Sequence, residues 1–119
     1  MAGEAFRGAG AVGMLAALTI AGCDRSDPHS AAKALIGAQC AACHVVPGVA
    51  TAHGEVGPSL AGIARRQIIA GRLATNRAAM IAFLVHPRAI EPAGAMPEMG
   101  LSQAQAAMIA DYLQTLDRP

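Results

Sequence analysis

Cys40-Ala41-Ala42-Cys43-His44 is the stretch that decides how this chain is read. Two thiols three positions apart lie close to one face of a single helical turn. From there both reach the vinyl groups on one side of a porphyrin. The histidine directly after them is then held beneath the iron as its proximal ligand. This is the spacing of c-type haem attachment. It makes Cys40 and Cys43 the candidate attachment residues, His44 a candidate metal ligand, and one covalently bound haem c with its iron the expected cofactor. Two other chemistries use Cys-x-x-Cys. A thioredoxin-like redox pair needs a surrounding βαβ pattern, and no strand-like run precedes Cys40. A structural zinc site wants four ligands in paired spacing, and only His44 and His53 stand nearby, with no second cysteine pair.

The third cysteine is explained by the leader. Residues 1–22 read as a secretory signal, with Arg7 followed by an apolar stretch from Ala9. That stretch runs for about fourteen residues to Gly22, too short for a spanning helix of roughly 20 residues. It ends in Thr19-Ile20-Ala21-Gly22-Cys23, which resembles the lipobox of bacterial lipoproteins. Cleavage before Cys23 would make it the lipidated first residue of the mature chain. All three cysteines then have a use and none is left for a disulfide. An ordinary secretory signal, cut elsewhere, would leave Cys23 free.

The mature chain, residues 23–119, is 97 residues long and holds one small domain. It carries 8 basic and 7 acidic side chains, a net charge of +1, and no dense basic stripe, which argues against a nucleic-acid partner. Only Phe83 and Tyr112 are aromatic in it. A chain so short and so rich in Ala and Gly has little side-chain volume for a core. A large planar cofactor supplies that volume.

The pattern along the chain predicts helices and loops, without strands. Residues 23–30 form a polar tether, of which Asp24 to Ser30 reach about 24 Å when extended. Ser30 caps a helix from Ala31 to Cys40, in which Leu35, Ile36 and Cys40 share helical spacing. Val45 to Gly57 is loop, punctuated by Pro47, Gly48, Gly54 and Gly57. Leu60 to Arg66 reads as a short helix. Thr75 or Asn76 caps a helix that runs through Val85 and is ended by His86-Pro87. Residues 87–100 are loop. Ser102 caps the last helix, Gln103 to Leu116, with Gln105 completing a capping box and Ala106, Ile109, Leu113 and Leu116 forming its apolar stripe. The expectation is an all-α domain over residues 31–119, with four to five short helices around one haem.

From about Ala32 to Leu116 the chain resembles a class I cytochrome c. The resemblance rests on a helix running into the cysteine motif, then Gly57-Pro58-Ser59-Leu60, then Ala95-Met96-Pro97 before a final helix ending in Tyr112-Leu113. It implies that the Pro58 carbonyl accepts from His44 Nδ1, which fixes the tautomer that turns Nε2 to iron. It implies that Leu60 packs on the haem face, and that Arg66, or less strongly Arg65, pairs with a haem carboxylate. Met96 is the implied distal metal ligand, with Met99 three residues on as its competitor. His29, His53 and His86 read as surface or loop residues. Relatives commonly hold a haem carboxylate with a Tyr and a Trp; here the corresponding stretches carry Ile68 or Ile69 and Phe83, leaving Arg66, Asn76 or water.

Ligation of this kind predicts an electron carrier and not an enzyme, because two axial protein ligands leave iron no place for a substrate. The expected donor is a dehydrogenase or quinol-oxidising complex and the expected acceptor an oxidase or reductase. The protein would sit on the periplasmic side of the bacterial inner membrane, held by lipid, as a monomer or a complex subunit. Asp24 fits inner-membrane retention. A haem-based sensor with a labile methionine and an electron-transfer subunit of a larger oxidoreductase are the alternatives. Arg65, Arg66, Arg72 and Arg77 make the middle of the sequence basic, while Glu91, Glu98, Asp111 and Asp117 make its end acidic. An acidic partner could meet the basic part, or both could be ordinary solvated surface.

Overall fold

The computed structural model describes residues 26–119. The leader, the cleavage site and Cys23 lie outside the described residues. Four helices are present among them: α1 (Ser30–Gln39), α2 (Arg77–Val85), α3 (Pro87–Ile90) and α4 (Gln103–Leu113), with a 3₁₀ turn at Ile63–Arg65. None of these is long and apolar enough to cross a membrane.

Where capping chemistry is local, the helix starts fall as expected. Asn76, not Thr75, caps α2, its Oδ1 accepting from Ala79 N at 2.8 Å. Ser102 and Gln105 form both halves of the capping box on α4, with Ser102 Oγ accepting from Gln105 N and Gln105 Oε1 from Ser102 N.

Elsewhere the fold departs from the sequence pattern. Ser30 is not a cap but the first residue of α1, because Asp27 organises the turn before it. The Asp27 carboxylate accepts from His29 N at 2.9 Å and holds Lys33 Nζ at 2.6 Å, and its carbonyl accepts from Ser30 N. From Asp27 onward the supposed tether is therefore part of the domain. The short helix at Leu60 shrinks to the 3₁₀ turn, since Gly62 at φ 65° breaks it. A two-stranded hairpin, β1 (Ile68–Ile69) paired antiparallel with β2 (Leu73–Ala74), replaces expected loop. Residues 87–90 form α3 instead of loop, with Pro87 at a first-turn position where a missing N–H costs nothing. Lastly, α4 stops three residues before Leu116. Thr115 Oγ1 takes the Tyr112 carbonyl at 2.7 Å, and the Leu116 carbonyl accepts from Ala64 N at 3.1 Å.

The core lies where α4 packs against both α1 and α2. Ile36, Ala106, Ile109 and Ala110 are fully buried there, joined by Val46 and Ala52 from the loop after the cysteine motif. The alanines let helices approach closely and the isoleucines fill between them. Tyr112 extends this packing to the site: its hydroxyl donates to the Pro47 carbonyl at 2.5 Å.

Folding also removes the charge segregation seen along the sequence. Arg77 makes a bidentate pair with Asp111, and Arg72 pairs with Glu91. Two of the four mid-chain arginines thus meet the acidic half. The hydrogen bond from Arg77 holds the Asp111 carboxyl below its ordinary value of 3.8, as Lys33 does for Asp27. A depressed folded-state pKa adds stability that is present above the unfolded value and lost as pH falls through the folded one. Thermal melting from about pH 6 down to about pH 2 should therefore show Asp111→Asn less stable than the native chain at the upper end. The gap should close below pH 3.8.

Candidate haem site

The cysteine motif continues the last turn of α1. Cys40 N and Ala41 N both donate to the Ile36 carbonyl, and Cys43 N and His44 N both donate to that of Cys40. This tight turn sets the two thiols and the imidazole on one wall of a cavity of about 370 Å³. The next loop folds back over the turn. Gly54 N donates to both the Ala41 and His44 carbonyls, Gly57 N to that of Cys43 at 2.7 Å, and Leu60 N to that of Val45. Two glycines make this return possible. A Cβ on Gly54 would stand 2.5 Å from backbone atoms of Ala42 and Cys43. One on Gly57 would press on the His44 ring, 2.7 Å from Nδ1.

His44 Nδ1 lies 2.7 Å from the Pro58 carbonyl. The carbonyl can only accept, so Nδ1 carries the proton and Nε2 is left with its lone pair. Nε2 has no partner among the described residues, and the ring lines the cavity. Burial pushes the Cys40 thiol above its ordinary pKa, with Cys43 beside it adding to the effect. Neutral thiols are the form that suits an apolar wall.

Further lining comes from the loop between α3 and α4. Ala95, Met96, Pro97 and Met99 all contribute, with Phe83 of α2 and Ala70 from the hairpin tip. The loop is held by Glu98, whose carboxylate accepts from Arg88 N at 3.2 Å and lies 3.6 Å from His86 Nδ1. Sequence reasoning missed that role of Glu98, and it missed Tyr112 as the anchor of Pro47.

Of the residues singled out from sequence, Cys40, Cys43, His44, Pro58 and Met96 line one cavity, and Met99 does too. Leu60 and Arg66 do not. Leu60 packs against the hydrophobic core. The Arg66 guanidinium donates to the Ser59 carbonyl at 2.5 Å and reaches that of Ala61 at 3.5 Å. Its charge braces the chain just after Pro58 instead of facing the cavity. His29, His53 and His86 are absent from the lining.

The family model described as cytochrome c matches residues 30–117. The chain belongs to the cytochrome c family. No curated protein and no solved structure matches it. This cytochrome is a class I, mono-haem, electron-transfer protein with the all-α fold of its family, and it carries one short hairpin. The family binds haem c covalently, and Cys40 and Cys43 have the required spacing. The residues present fit that group. The cavity is walled mainly by apolar side chains, both thiols reach it, and an imidazole Nε2 has its lone pair unused.

Proposed function

We propose that this cytochrome is a membrane-anchored one-electron carrier in which His44 and Met96 hold the haem iron. The observation that carries the reading is the shared cavity. An imidazole with its Nδ1 engaged by Pro58 and a methionine from a braced loop line the same space as the two thiols. Haem, when bound, supplies reversible one-electron chemistry at iron and does not dissociate because its attachment is covalent.

The chain's own residues set the terms. His44 presents Nε2, its tautomer and ring orientation fixed by the bond from Nδ1–H to Pro58. Met96 offers a soft thioether that favours the ferrous state and raises the potential. With His44 and Met96 both holding iron, no place would be left there for a substrate, and electron exchange would remain. An exposed apolar residue marks the rim: Val56, 79% exposed, lines the cavity. A small apolar rim suits a brief encounter with a redox partner. The donor is a dehydrogenase or quinol-oxidising complex and the acceptor an oxidase or reductase.

The optical spectrum tests the ligation. Ferric protein should show the far-red band of sulfur ligation and the ferrous form a sharp α-band. Met96→Ala should lose the far-red band and lower the potential by on the order of 0.2 V, within the roughly 0.8 V that axial ligands span. A spectrum that is high-spin, or that shifts on adding CO, would instead mean an open sixth site and a ligand sensor.

The anchor is Cys23, lipidated after signal cleavage, with the domain on the periplasmic side of the inner membrane. Cys23→Ser should move the protein from the membrane to the soluble periplasmic fraction with its spectrum unchanged. Retention in the membrane would remove the anchor from this reading.

A further inference from the structure

Cys23 stands closer to the domain than the sequence pattern suggests. Asp27 already belongs to the domain, since it accepts from His29 N and Ser30 N and holds Lys33 Nζ. Only three residues separate it from Cys23. Four peptide steps span at most about 14 Å when fully extended. A lipid on Cys23 would therefore keep the N-terminal end of α1 within about 14 Å of the bilayer, and the face around that end is the one it brings there.

That end carries a shallow notch of about 170 Å³, lined by Pro28, His29, Ala31, Ala32, Met108 and Asp111. Met108 of α4 is 39% exposed, and it is the one large exposed apolar side chain on a helix among the described residues. The charges beside the notch are paired, Asp27 with Lys33 and Asp111 with Arg77. A face balanced in this way neither attracts nor repels anionic headgroups. Its thioether and the aliphatic stem of Lys33 suit the headgroup level, where amphipathic surfaces rest. The haem cavity lies at the opposite end of α1. Gln39 and Cys40 line it, and the ten residues of the helix carry the chain about 15 Å.

We propose that the notch and Met108 form the face on which this cytochrome rests against the bilayer that holds its lipid, with the haem cavity turned to the aqueous side. The lipid supplies the attachment, and the short link from Cys23 to Asp27 supplies the orientation. A redox partner then meets the cavity from water, so the partner is a protein domain standing clear of the membrane and not a quinone dissolved in it.

This face rests on the anchor reading, and hydroxyl-radical footprinting with mass spectrometry separates the two. The haem-loaded, lipidated full chain is held in vesicles of phosphatidylethanolamine and phosphatidylglycerol, and Cys23→Ser is measured in solution beside it. Met108 should react several-fold more slowly on the vesicles than in Cys23→Ser. Val56, at the cavity rim, should react at the same rate in both. Equal Met108 rates in the two proteins, or protection of Val56 in place of Met108, overturn the face, while membrane retention of the native chain keeps the anchor. A native chain recovered in the soluble fraction overturns both.

Discussion

Gly54→Val is expected to give a chain with little covalently attached haem and a collapsed melting temperature. Gly54 lies against the backbone of the cysteine motif, where an added Cβ would meet Ala42 and Cys43 main-chain atoms at 2.5 Å. Backbone cannot swing aside as a side chain can. The loop would have to lift, breaking the bonds from Gly54 N to the Ala41 and His44 carbonyls. Overpacking costs about 1–3 kcal/mol and each lost hydrogen bond about 1 kcal/mol, so the sum is about 3–5 kcal/mol. That is a large share of the roughly 5–15 kcal/mol available to a small domain. Haem staining after denaturing electrophoresis, with a thermal melt of the purified protein, measures both effects. Native haem content and melting temperature in Gly54→Val would show that the loop does not define the turn.

Gly57→Val is expected to separate attachment from ligation. Here the obstructed group is the His44 ring, with Nδ1 2.7 Å and Nε2 2.9 Å from the added Cβ. The ring can turn, but only by giving up its bond to the Pro58 carbonyl and the aim of Nε2. Both thiols stay in place, so haem should still attach. The spectrum should change from low-spin to high-spin, with the far-red sulfur band lost or weakened. Proximal ligation moved off its tautomer-fixing partner typically costs on the order of 10–100-fold in metal affinity. A native spectrum in Gly57→Val would mean that the ring is not confined by this glycine.

Much of the site was legible because its parts are set by short-range rules. The motif from Cys40 to His44 is one turn of chain, and its chemistry depends on spacing alone. Asn76 and Ser102 act on backbone three residues ahead, which is why both caps could be read from neighbours. The misread parts are those where distant chain decides. Two-residue strands carry too little pattern to announce themselves, and β1 and β2 exist only because the Ala70-Gly71 turn closes. Ser30 looked like a cap until Asp27, held by Lys33, took over the turn. Arg66, which the resemblance sets beside a haem carboxylate, donates to the carbonyls of Ser59 and Ala61.

The amino-acid order by itself determined the haem-attachment spacing of Cys40 and Cys43, that His44 comes directly after them, and where α2 and α4 begin. Each depends on groups within a few residues, and covalent spacing enforces it. Only the tertiary structure decided which charges meet and what holds the loops that line the cavity. Arg77 finds Asp111 across 34 positions, Arg72 finds Glu91 across 19, and Tyr112 anchors Pro47 across 65. Such partners are chosen by how α1, α2 and α4 bury their shared core, and that packing brings together segments no local pattern relates.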